Sequence, residues 1–165
     1  MDFTEFYRRS KDDCLFAVLV SVGDRDTAQE LVAEAFARAW ASWRTVSRHP
    51  APSAWVVRTA LNANVSRWRR GRRELLVPDI GSVADLPAAE DAESSVDPRI
   101  MAALRRLSSR QRQVVALRLF LDLDTDRAAE VLGIAPGTVQ AHLGRAMAAL
   151  RDELMPQRQQ EGFPS

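Results

Sequence analysis

The sequence predicts an all-α protein: two small helical domains joined by a flexible acidic linker, the second domain containing a helix-turn-helix. Three observations carry this. Apolar residues recur at spacings of three, four and seven through most of the 165 residues, with no strand-like alternation and no Asn-Gly hairpin signal. Residues 74–97 break that period and are rich in Pro, Ala and carboxylates. Beyond them, Ala129, Gly133 and Val139 stand at the spacings that two helices need to cross over a tight turn.

Taken in order, the first helix lies around Phe3–Val22, and Gly23 separates it from the next. That second helix, Asp26–Trp43, places Leu31, Val32, Ala35, Phe36, Ala39, Trp40 and Trp43 on one apolar stripe, with Thr27 or Asp26 as its cap. A loop holding Pro50 and Pro52 follows. Ser53 is then positioned to cap a helix over Ala54–Arg70, which Gly71 ends. Pro98–Leu107 and Ser109–Leu121 read as two further helices, Ser108 or Ser109 capping the second. The last pair, Thr125–Leu132 and Pro136–Arg151, is joined by Gly133-Ile134-Ala135. The division is therefore 1–73, a linker over 74–97, a second domain over 98–155, and a frayed tail over 156–165.

Composition excludes several classes. No apolar run reaches the roughly 18–20 residues of a membrane span, and the N-terminus has no signal-like apolar core, so a cytoplasmic protein without membrane insertion is expected. The single cysteine, Cys14, sits among Leu15, Phe16 and Val18 as a core residue; it leaves no disulfide and no Cys cluster for zinc. His49 and His142 have no Cys, Ser or paired acid at a catalytic spacing, and there is no phosphate-binding GxxxxGK. No enzyme activity and no cofactor are expected.

The net charge of +1 hides three blocks. Residues 1–43 hold five basic and eight acidic side chains, residues 44–73 hold eight Arg and no carboxylate, and residues 74–97 hold seven carboxylates and no Arg or Lys. The Arg block is interleaved with Trp55, Trp68, Asn62 and Asn64. Aromatic faces with guanidinium groups suit unpaired bases and their phosphates, although each Trp is equally a core candidate and the arginines a solvated face.

In the last helix pair, Ala129 lets the helices approach, Gly133 makes a left-handed turn, and Val139 anchors the second helix. Leu132, Ile134 and Leu143 supply the shared core, and Pro136 suits a first helical turn. The second helix then offers Thr138, Gln140, Ala141, His142 and Arg145 to a DNA major groove. Residue chemistry alone leaves two rivals: a stand-alone helix-turn-helix regulator with an N-terminal dimerisation or sensory domain, and a helical adaptor that binds proteins only.

The stretches GDRDTAQELVAEAFARAWASW, SAWVVRTALNANVSRWRR and LRRLSSRQRQVVALRLFLDLDTDRAAEVLGIAPGTVQAHLGRAMAALR, in that order, resemble the bacterial RNA polymerase sigma factors of the sigma-70 family. The resemblance is to the sigma-E-like, extracytoplasmic-function type, since no third sigma domain fits between the two halves. It implies a protein that binds core RNA polymerase, through the β′ clamp and the β flap, and directs promoter recognition, with an anti-sigma factor as a further possible partner. It also implies that Glu30, Leu31, Val32, Glu34 and Phe36 belong to the clamp-binding helix. Arg58, Asn62, Arg67, Arg69 and Arg70 match the minus-ten helix, with the loop Thr45–Pro52 receiving an extruded base. Thr138, Gln140, His142 and Arg145 match the minus-thirty-five helix. Ala33 replaces the usual Gln, Val57 and Ser66 the usual Tyr and Asp, and Gln140 and His142 the usual Lys and Arg, so several family contacts are altered here.

Overall fold

A computed structural model describes residues 1–74 and 97–155, without the side chains of 72–74. The expected tether and tail lie almost wholly outside the described residues. Among those described there are eight α-helices and no strand: α1 (Phe3–Val22), α2 (Arg25–Ala41), the single turn α3 (Trp43–Val46), α4 (Pro52–Glu74), α5 (Pro98–Arg105), α6 (Ser109–Val115), α7 (Thr125–Leu132) and α8 (Pro136–Leu154).

Local chemistry sets most of the helix ends. Asp2 accepts the Glu5 amide at the start of α1, and Gly23, at φ 84°, closes the helix in the left-handed conformation by donating to the Leu19 carbonyl. The cap of α2 is Asp24, not Thr27 or Asp26. Its carboxylate accepts both the Thr27 hydroxyl (2.5 Å) and the Thr27 amide (2.9 Å), and these bonds, the hydroxyl's first, hold its pKa below the ordinary Asp range. Ser108 caps α6 with a reciprocal capping box through Gln111. Asp124 caps α7, and Gly133, at φ 66°, ends it.

The start of α4 differs from expectation. Pro52 opens the helix, and the Ser53 hydroxyl instead donates to Ser10 Oγ (3.2 Å) on α1. His49 Nδ1 accepts the Ala51 amide (3.0 Å) and so holds the preceding turn. Gly71 does not end α4. It has no positive φ, and the helix continues to Glu74. The stripe on α2 is also narrower than expected: Leu31, Val32, Ala35, Phe36 and Ala39 are buried, whereas Trp40 is 66% exposed.

α1, α2 and α4 pack together, and α8 packs against α5, α6 and α7. In the first group Phe3, Phe6, Tyr7, Phe36 and Trp43 form an aromatic cluster with centroid separations between 5.0 and 6.5 Å. Cys14 is fully buried here; burial, with Asp13 nearby, pushes its thiol up to about 12. The groups also pack on each other, α1 against α6 and its continuation and α4 against α7, so one hydrophobic cluster runs through both. That continuation is a π-helical segment, Ala116–Phe120, in which the Leu121 amide donates to the Ala116 carbonyl (3.1 Å). The wider turn brings Phe120 onto Phe16 of α1, with ring centroids 4.6 Å apart and planes at 71°.

Candidate nucleic-acid and partner-binding surfaces

The second helix of the helix-turn-helix, α8, is anchored by Val139 and Ala146, both fully buried. Thr138, Gln140, Ala141 and Arg145 are exposed in the first three turns. With Pro136 at its first position, α8 begins bluntly and presents these side chains near its N-terminal end. His142 is placed differently. It lies three residues after Val139 and four before Ala146, on the flank that packs, and its Nδ1 is buried with no hydrogen-bond partner. Thr138, Ala141 and Arg145 follow at intervals of three and four residues and share one face, with His142 between that face and the packed flank; Gln140, two residues after Thr138, is exposed on the other side of the helix.

On α4, Arg58, Asn62 and Arg69 are exposed and follow one another at intervals of four and seven residues, which sets them on one face. Val65 lies between them on that face, 44% exposed. Arg70 is exposed to one side. Arg67 sits roughly half a turn around the helix from Arg58, on the side facing α2, where its Nη1 donates to Glu30 (3.0 Å) and its Nη2 to Glu34 (3.2 Å). Glu34 also accepts Arg38 Nη2 (2.7 Å). Glu30, Glu34 and Arg67, which the sequence reading divided between two surfaces, therefore form one ionic chain with Arg38 across the α2–α4 seam. The Arg block had no carboxylate nearby in sequence; folding supplies two to this one arginine.

Beside the Arg58 face lies an open groove of about 380 Å³ lined by Arg38, Ala41, Ser42, Trp55, Thr59 and Asn62. Thr59 is held by donating to the Trp55 carbonyl (2.8 Å). Trp55 is half-buried against the core and also forms one wall of the groove. The groove offers an aromatic surface, an amide, a hydroxyl and a guanidinium, which together suit a planar, polar-edged ring. The groove is distinct from the loop Thr45–Pro52 that the resemblance singles out, and no single stretch of sequence marks it, because its walls come from α2, the residue after it and α4.

The outer face of α2 carries Gln29, Glu30, Ala33, Ala37, Trp40 and Ala41, all exposed. Leu31, Val32 and Phe36 point the other way and are buried, so they fix the helix in its own fold and offer nothing to a partner's surface. Among the described residues no group of His, Cys, Asp and Glu could hold a metal ion, and no helix is long and apolar enough to cross a membrane.

Comparison with known proteins gives the same order of parts. Residues 6–74 match the family model for sigma-70 region 2, and residues 98–150 the model for sigma-70 region 4. The RNA polymerase sigma-E factor of Streptomyces coelicolor is 31% identical over 156 residues, covering 94% of this chain and 87% of that protein. The RNA polymerase sigma-E factor of Streptomyces antibioticus is 30% identical over 155 residues, 93% of this chain and 85% of that one. The ECF RNA polymerase sigma factor SigL of Mycobacterium tuberculosis is 29% identical over 133 residues, 78% of this chain and 75% of that one. Among solved structures, the sigma factor RpoE of Bartonella quintana, in complex with the anti-sigma factor NepR, has the same fold. Its TM-score is 0.75 at 22% identity, over 95% of this chain and 99% of that chain.

Proposed function

The chain belongs to the extracytoplasmic-function group of sigma-70 family RNA polymerase sigma factors and directs transcription initiation; from that premise we propose how its surfaces divide the work. Residues 1–73 form the unit that docks on core polymerase and opens the minus-ten element. Residues 98–155 form the unit that reads the minus-thirty-five element, and residues 74–97 tether the two. The single observation that carries this reading is the pairing, in one chain, of a basic, aromatic-lined helix face on α4 with an exposed recognition face on α8.

The outer face of α2 meets the polymerase clamp. Glu30 and Glu34 set its register, and Trp40, with Ala33 and Ala37, supplies an apolar contact. Once docked, Arg58 and Arg69 bind phosphates of the strand being melted, with Arg70 at the edge of that face. A base pulled from the stack enters the groove beside them, stacking on Trp55 with Asn62 and Arg38 at its polar edge. Arg67 acts here as a positioning residue, holding α4 on α2 so that docking and strand capture share one frame. On α8, Thr138, Gln140 and Arg145 read base edges in the major groove. The chain itself performs no bond chemistry; the catalytic centre belongs to the polymerase. We place the working protein in the cytoplasm. Its fold is that of RpoE, solved with an anti-sigma factor, and we extend the set of partners to a protein of that kind.

Run-off transcription with purified core polymerase tests the division. The Arg58→Ala, Asn62→Ala, Arg69→Ala triple variant is expected to co-elute with core polymerase yet give no transcript from a double-stranded promoter. Glu30→Lys with Glu34→Lys should lose co-elution while keeping helicity. Full run-off by the triple variant would remove α4 from the reading.

A further inference from the structure

Two tryptophans lie in the Arg block. Trp55 lines the groove beside the Arg58 face, and Trp68 stands thirteen residues further along α4. Its surroundings are of another kind. From Val65 to Arg70 six consecutive residues are exposed. At about 100° per residue they go round the whole helix, so α4 is open to solvent on every side here. Trp68 is 52% exposed and Val65 44%, and at a spacing of three they lie side by side. Arg69 and Arg70 flank them. Among the described residues, the carboxylates paired with this stretch are Glu30 and Glu34, both bound to Arg67 on the side facing α2. The indole, Arg69 and Arg70 therefore present a flat apolar surface bordered by positive charge. Its complement is a flat ring bordered by negative charge, as an unpaired base is on its phosphate backbone.

The two rings are set for one strand. Their separation in sequence makes about 20 Å along the helix axis and leaves Trp68 about 140° around it from Trp55. A path from one to the other crosses α4 obliquely and passes over Arg58, Asn62 and Val65, which are exposed. At about 3.4 Å per stacked step, that distance is the length of about six nucleotides. Phosphates on the path meet Arg58 near one end and Arg69 near the other. The two sites differ in what they can read. The groove offers the amide of Asn62 and the guanidinium of Arg38 to a base edge. An open indole offers a face, which every base can cover.

We propose that Trp68 is a second base-binding site on α4, at which an unpaired base of the strand held in the Trp55 groove stacks on the indole, beside Val65 and with Arg69 on its phosphate. The proposal rests on the reading of α4 as the strand-capturing helix. The groove selects a base by its edge, and Trp68 responds to how far the strand has been opened. A strand with fewer unpaired nucleotides than separate the two sites gains the first stack and not the second. Full affinity therefore arrives once melting has run that distance.

Abasic substitution, read on the holoenzyme, tests this. Forked promoter fragments carry a single abasic nucleotide, moved one position at a time along the unpaired non-template strand, and Kd is measured by fluorescence anisotropy. With wild-type protein, binding is expected to weaken at two positions about six nucleotides apart, the second by roughly tenfold. Changing the base at the second position without removing it should alter Kd by less than about twofold. Trp68→Ala should bind the intact strand roughly tenfold more weakly and lose sensitivity to the second abasic position while keeping the first. Trp68→Phe should restore most of the loss, and thermal melts of both variants should match wild type, since the ring is more than half exposed. A second position that is missing, or that persists in Trp68→Ala, would overturn the proposal. So would a Trp68→Ala variant that binds the strand as wild type does and loses core polymerase instead, which would mark the ring as a protein contact. The failures are separable. Absence of the second position alone removes the Trp68 site, whereas no sensitive position anywhere, with Arg58→Ala and Arg69→Ala also without effect, removes α4 from strand capture.

Discussion

Arg67 is the residue at which sequence and structure part most usefully, and replacing it separates two roles. If Arg67 contacts phosphates as Arg58 and Arg69 are proposed to do, Arg67→Gln removes one counterion-releasing contact. The slope of log K against log salt should then fall by about 0.7 on single-stranded and about 0.9 on duplex DNA. If it holds α4 to α2, the slope stays and the loss appears in stability. That loss is small. Its bonds to Glu30 and Glu34 are 3.0 and 3.2 Å, but Arg67 is 41% exposed and the two acids 69% and 36%. Exposed pairs contribute about 0.2–1 kcal/mol each, so Arg67→Gln should cost roughly 1 kcal/mol. Glu34→Gln added to Arg67→Gln should then cost less than its effect in wild type, because the two share one bridge. The assay is fluorescence anisotropy of holoenzyme on a forked promoter fragment over a salt series, with thermal melts of the free variants. Arg69→Gln provides the reference, with an expected drop of the full 0.7–0.9. An Arg67→Gln slope that falls as far as that of Arg69→Gln, with additive effects on melting, would refute the positioning role.

Three further outcomes follow from the same geometry. Asp24→Ala removes both Thr27 bonds and should cost about 1 kcal/mol, lowering the melting temperature by about 2–4 °C. Since the folded pKa of Asp24 is depressed, that stabilisation is present above the ordinary Asp range and lost as pH falls through the lowered value, so melts of wild type and variant should converge in acid. Gly133→Ala meets no atom within 4 Å but keeps φ at +66°, so it should cost about 1–2 kcal/mol through backbone strain alone and weaken minus-thirty-five binding. Trp40→Ala should change stability by less than about 0.5 kcal/mol yet reduce affinity for core polymerase by about 2 kcal/mol, or roughly thirtyfold, in a competition assay; an unchanged affinity would move the docking surface off α2.

How much was legible in the sequence depended on whether the signal was local. The bounds of α1 and α7 are those expected because Gly23 and Gly133 adopt positive φ after an unbroken apolar period. Gly71 carries the same letter and no such geometry: a glycine inside a helix costs stability without ending it, and nothing near it in sequence distinguishes the two cases. Ser53 follows Pro52, and proline at the first helical position displaced it from the cap. Trp40 looked like part of the α2 stripe because it follows Phe36 by four residues. The buried set is centred near Ala35 and Ala39, and Trp40 is turned roughly 100° away from that centre. In α8 the signal was present and outweighed by the family pattern, since Val139, His142 and Ala146 already share a helical face.

The surfaces were less legible than the helices because each is assembled across elements. Eight arginines in thirty residues looked like one surface, but a helix distributes consecutive residues around its whole circumference, so such a run cannot all face one ligand. Folding resolved it into a face at Arg58, Asn62 and Arg69, and a brace at Arg67. The recognition helix poses the opposite problem, too little charge. From Pro136 to Leu154 there are two Arg, one Asp and one Glu, a net of zero, so α8 gains almost nothing from counterion release. A reader so weak on its own becomes effective when the first group is anchored and the second searches the nearby duplex at an effective concentration of about millimolar. On the polymerase, sequence reading and strand capture then become available together, where both are needed.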